Sequence, residues 1–213
     1  MPYLFRILFI PVMKNILSTL SSSFLAGLFI SMGGLVFLKL GGIAGAVLFS
    51  FGLLSVVHYR LSLFTGTAGF FDSARVGEWW RLSLIWFGNC IGCFAVAYTM
   101  SFVFPDLADV AMSILDKRLA LGTFPCFLLA IFCGIVMTTA VEFARKQQFL
   151  PLLFGVPLFI LCGFTHSIAD AFYFLYCPSE AILNSKVLTL YAFEVLGNLA
   201  GCNLYRLIIR KQS

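Results

Sequence analysis

Residues 163–170, GFTHSIAD, place Thr165, His166, Ser167 and Asp170 inside a run apolar enough to cross a membrane. An unsatisfied polar group there costs several kcal/mol, so these side chains need partners or a lined cavity. Imidazole is the side chain that titrates near neutrality, so His166 can relay a proton or donate a hydrogen bond as the neutral ring. The alternative is a structural histidine bonded to Thr65 or Asn198. Charged residues make up 11% of the 213-residue chain and hydrophobic residues 61%, against about 25% charged in an average soluble domain. That excludes an ordinary soluble protein. Only two histidines occur and no His/Glu cluster has metal-ligand spacing, so no metal, no cofactor and no enzyme is expected. The seven cysteines form no CxxC pair, and most sit in apolar runs as small packing residues.

A span needs roughly 20 apolar residues. Spans are expected at about 19–38, 43–65, 79–104, 121–143, 150–175 and 188–209, with one extra surface helix within 105–120. The start, MPYLFRILFIPVMKN, is broken by Pro2 and Pro11 and reads as no cleavable signal. With both termini on one side, that side holds Arg6, Lys14, Arg75, Arg81, Arg145, Lys146, Arg206, Arg210 and Lys211. Lys39, Lys117, Arg118 and Lys186 fall on the other. The excess puts both termini in the cytoplasm. The net charge of +5 is accordingly a topology signal and not a nucleic-acid one.

The chain also repeats itself. SLFTGTAGFF (62–71) and GFTHSIADAFYF (163–174) each follow a Phe-Thr pair with small residues and then aromatics, and GNCIGC (88–93) matches GNLAGC (197–202). One membrane domain over 1–213 is expected, with repeat 1 at about 19–104 and repeat 2 at about 121–209. Three spans per repeat turn the second copy upside down. The fold class is an all-α membrane protein: six transmembrane helices as an inverted 3+3 repeat, with the second and fifth interrupted, an aquaporin-like architecture. Such proteins place their pathway where the broken helices meet. The breaks are expected to be non-helical at 64–68 and 163–168, with Thr65 and His166 facing one cavity. The glycines of GNxxGC suit close helix approach, and Asn89 and Asn198 suit capping of the neighbouring loose backbone.

LFTG at 63–66, GNCIG at 88–92, GFTHSIAD and GNLAG at 197–201, in this order, resemble the formate/nitrite transporter family. The resemblance implies a homopentamer with one pore per protomer, in a bacterial cytoplasmic (inner) membrane. Small monovalent weak-acid anions (formate, nitrite, acetate, lactate or hydrosulfide) would pass together with a proton. It implies that His166 is the central pore histidine and Thr65 the break threonine, with constrictions drawing on Phe64, Phe164 and Phe172. The pathway would then comprise these residues with Thr165, Ser167, Asn89 and Asn198.

The departures bear on mechanism. Thr165 stands where many members have Glu, Ser62 where they have an acidic residue, roughly Gly122 where they have Lys, and Thr138 where they have Asn. Glutamate and lysine are lost together, as the cost of an unpaired buried charge requires. Lys117 or Arg118 could replace the lysine. Arg60 (with His58 beside it) and Glu194 are charges the pattern does not contain; they are expected to pair with each other or with backbone at a broken helix. Bare anion passage faces a Born barrier of order 20 kcal/mol in the dry limit. Taking up a proton at the constriction avoids it, and backbone N–H groups at the breaks add positive potential. A channel for a small neutral solute, or a non-transport membrane scaffold, are the alternatives.

Overall fold

The computed structural model describes the backbone of residues 2–209 and side chains from Asn15 to Leu204. The side chains of Arg6, Lys14 and Arg206 and the residues Arg210 and Lys211, on which part of the expected orientation rests, lie outside that description. The described chain is helical throughout its regular parts: α1 (Pro2–Leu40), α2 (Gly42–His58), α3 (Phe64–Ala68), α4 (Val76–Ser101), α5 (Leu107–Leu121), α6 (Thr123–Arg145), α7 (Leu150–Leu161), α8 (Ser167–Tyr176), α9 (Ser179–Ile182) and α10 (Ser185–Ile209). Four stretches are long and apolar enough to cross a membrane: Asn15–Leu40, Val76–Ser101, Thr123–Arg145 and Ser185–Leu204. α2 and α7 are apolar but shorter.

Glycine sets both the corners and the contacts. Gly41 and Gly122 take φ of 59° and 95° between successive helices, a region that strains residues with a Cβ. Within the bundle α1 packs on α4 and α2, and α6 packs on α10 and α7. A Cβ at Gly92 would strike the Phe24 carbonyl, and one at Gly201 the Ile131 carbonyl. The GNxxGC glycines therefore allow backbone-to-backbone packing of α4 on α1 and of α10 on α6, without the hydrophobic drive available in water. The outer surface carries large apolar side chains, among them Phe51, Phe94, Phe124 and Phe154.

The expected surface helix is α5. The expected second and fifth spans are each split, but the first break lies earlier than its sequence suggests. Residues 64–68 are helical, and the irregular stretch is 59–63. Arg60 takes a left-handed φ of 53° and Leu61 N donates back to Val56 O at 2.8 Å, which ends α2. Asn89 then accepts from Phe64 N and restarts the helix. The second break covers 162–166, so Ser167 and Ile168 already belong to α8.

Candidate transport pathway

Asn89 and Asn198 make matching clamps. Asn89 Oδ1 accepts from Phe64 N at 2.9 Å, while its Nδ2 donates to Ser23 O and Ser62 O at 2.8 and 2.9 Å. Asn198 Oδ1 accepts from Ser167 N at 2.8 Å, and its Nδ2 donates to Ala130 O and Thr165 O, both at 2.9 Å. Each amide thus caps the first N–H of a short helix, satisfies a carbonyl in the same break, and ties both to a neighbouring long helix. A fully buried amide with its oxygen and both N–H groups used costs little to bury. The cysteines of the two GNxxGC motifs reach across: Cys93 Sγ donates to Ile168 O at 3.4 Å and Cys202 Sγ to Thr65 O at 3.5 Å. Asparagine holds the break of its own half, and cysteine touches the short helix of the other.

At the meeting point Thr65 Oγ1 and His166 Nε2 lie 2.9 Å apart. His166 caps α8, its Nδ1 accepting from Ala169 N at 3.2 Å. An accepting Nδ1 carries no proton, so the ring is neutral, Nε2 bears the hydrogen, and Nε2–H donates to Thr65. Phe159 of α7 stacks on the ring, centroids 5.3 Å apart and planes at 25°. Thr65 is fully buried and His166 is 2% exposed, so the contact closes the space between the breaks. Thr165 Oγ1 is turned away, donating to Cys126 O at 2.9 Å, and Ser167 Oγ is buried without a partner.

A cavity of about 720 Å³ lies beside α3, but neither Thr65 nor His166 lines it; where the two were expected to share a cavity they form a closed side-chain contact. His58, Arg60, Arg81 and Arg145 line it, together with Gly66 and Thr67 of α3. No carboxylate lines it among the described residues. Arg145 holds its guanidinium 3.6 Å above the Phe70 ring, a favourable cation–π contact. Arg118 reaches from α5 into the second break. Its Nη1 donates to Gly163 O at 2.6 Å and its Nε lies 3.4 Å from Asp170 Oδ2.

Several expected site residues stand elsewhere. Arg60 and Glu194 are not a pair: Arg60 is exposed in the cationic cavity, whereas Glu194 is fully buried beside Asp170 and Arg118. Arg60 stands in the first break, four residues before Phe64, and Glu194 on α10, four residues before Asn198. The basic residue that bonds a broken helix is Arg118, and Lys117 is exposed. Phe172 is buried against Gly34, Tyr173 and Tyr176; helical spacing turns it away from His166, and the aromatic ring on His166 is Phe159. Phe164 stacks on Phe132 of α6, centroids 5.9 Å apart. Phe64 borders a separate apolar cavity of about 520 Å³ between α4 and α10, with Trp79, Trp86 and Tyr191. Phe159 carries no distinguishing mark among 25 phenylalanines.

Helices that cross an apolar layer, two of them broken, with polar side chains meeting where the breaks face each other, define an integral membrane transport protein. The sequence model of the formate/nitrite transporter family matches residues 11–209, and the chain belongs to that family. Two solved structures share the fold. An "FNT family ion channel" superposes with a TM-score of 0.82 at 21% identity, covering 95% of this chain and 92% of the other. A "pentameric formate channel with formate bound" superposes with a TM-score of 0.75 at 18% identity, covering 93% and 96%. No curated protein matches the chain.

Proposed function

We propose that the chain is a channel for small monovalent weak-acid anions of the formate type, which cross as the neutral acid between Thr65 and His166. The observation that carries this reading is the 2.9 Å Thr65–His166 contact, buried at the junction of two breaks, with a cationic cavity lined by the adjoining Gly66 and Thr67. Arg60, Arg81 and Arg145 concentrate anions in that cavity, because a one-sign surface between low-dielectric walls raises the local counter-ion concentration. The contact beyond it is dry and has no formal charge, so the bare anion is excluded by its desolvation cost and the protonated acid is not. A carboxylic acid replaces Thr65 as the acceptor of Nε2–H while it passes.

The same reading places the chain in a bacterial cytoplasmic membrane as one domain of six spans. α1, α2–α3 and α4 form one repeat and α6, α7–α8 and α10 its inverted copy. The matched Asn89 and Asn198 clamps support that pairing. Both termini are cytoplasmic, and five protomers assemble with one pathway each, as in the pentameric relative. Expected outcomes are formate uptake into liposomes that rises with an inward proton gradient, and a pentamer by native mass measurement. Formate uptake indifferent to the gradient, or a stable monomer, contradicts the proposal.

A further inference from the structure

The buried charges behind the second break do not balance. Asp170, in the first turn of α8, and Glu194, on α10 one turn before the Asn198 clamp, lie against each other, and among the described residues they face a single cation, Arg118. Asp170 is 1% exposed and Glu194 0%. Arg118 divides its guanidinium between Gly163 O and Asp170. Among the described residues neither Glu194 oxygen has a hydrogen-bond partner within 3.5 Å, its interaction with the Asp170 carboxyl being looser than that, and Asp170 Oδ2 has only the 3.4 Å ion contact with Arg118. The other titratable groups facing the pair are Cys126 and Cys133 from α6 and Tyr173 from α8. The nearby α4 thiol, Cys93, is turned to Ile168 O. None of these is a cation.

Two ionised carboxylates are acceptors only, so they cannot hydrogen-bond each other, and in a low-dielectric site they cannot both stay charged beside one cation. One proton on the pair removes both problems. It gives a carboxyl O–H for the partnerless oxygens and leaves one carboxylate for one guanidinium. We infer that Asp170 and Glu194 share a single proton at neutral pH, with Arg118 as counter-ion, and that this pair is the proton-exchange site of the pathway. Its position suits that use: Asp170 N donates to His166 O at 2.8 Å. A cavity of about 250 Å³ is bordered by Leu119, next to Arg118 in α5, and by Leu190, one turn before Glu194 in α10. The exchange role rests on the transport reading above; the shared proton does not.

The test is infrared difference spectroscopy on the full-length protein in liposomes, joined to formate uptake. Wild-type protein at neutral pH is expected to show the C=O stretch of a buried protonated carboxylic acid, shifted in D2O. Glu194→Gln and Asp170→Asn should each abolish it, because the remaining carboxylate then ionises against Arg118. Absence of the band in wild type overturns the shared proton, and so does its survival in both variants. Stabilisation by Na⁺ or K⁺ without the band would mean a doubly ionised pair holding a cation, and overturns it too. In uptake, Glu194→Gln should lose the response to an inward proton gradient; an unchanged response overturns the exchange role. Wild-type protein that carries no formate but shows the band would break the transport reading alone.

Discussion

At the first break Asn89 holds Phe64 N and Ser62 O; at the second Asn198 holds Ser167 N and Thr165 O. The clamps are the same, yet their surroundings differ. Behind the first break lies an open cavity with exposed Arg60 and two further cations, Arg81 and Arg145. Behind the second lies a dry cluster of Arg118, Asp170 and Glu194. In the proposed function one backbone device carries two chemistries: collection of anions on one side, handling of a proton on the other. The two halves keep what builds the break and diverge in what works beside it.

The clamps are where the halves are most alike, and breaking them has the largest expected effect. Asn198→Leu orphans Ser167 N and Thr165 O, at on the order of 1–3 kcal/mol for each buried group, and takes the second hydrogen bond from Ala130 O, which keeps its partner within α6. Asn89→Leu does the same to Phe64 N and Ser62 O, and takes the second hydrogen bond from Ser23 O of α1. Both variants should fall sharply in the yield of folded protein on size-exclusion chromatography. Folding that survives one loss but not the other would show that the halves are not equivalent supports.

The Asn–Gly repeats were legible because they use fixed residue types at fixed spacing, and they led to both clamps. The break at 59–63 was less so: Leu61 and Leu63 look like helix interior, and only the left-handed turn at Arg60 ends α2. The charge cluster was harder still. Arg118, Asp170 and Glu194 come from three helices far apart in the chain, and their meeting depends on how α5 lies across the second break. Losing the expected glutamate and lysine at Thr165 and Gly122 reads as neutralisation in the sequence; in space, Arg118 and Asp170 restore an ion pair at the same break. Phe159 on His166 is likewise a product of packing.

Smaller effects separate the two sides further. Arg60→Gln with Arg145→Gln thins the cationic cavity without touching the contact. Formate uptake at low salt should fall by about tenfold, within the range of electrostatic steering, and the difference from wild type should shrink as salt is added. Equal loss at high and low salt would mean that the arginines act on structure. His58→Asn is the control on that side and should change uptake least, since His58 is exposed at the end of α2 with its ring against Tyr59.

The most direct measurement is the pH profile of formate uptake in liposomes for His166→Asn beside wild type, with His166→Phe as the blocked reference. In wild type, protonating the ring requires Nδ1 to give up Ala169 N, so uptake should change once the medium is acid enough to force that protonation. Asparagine keeps a polar donor at the contact and cannot titrate between pH 5 and 8. His166→Asn should therefore fold, carry formate and lack that acid limb, while His166→Phe carries none. A wild-type profile reproduced by His166→Asn, or normal uptake through His166→Phe, would show that the substrate does not pass between Thr65 and His166.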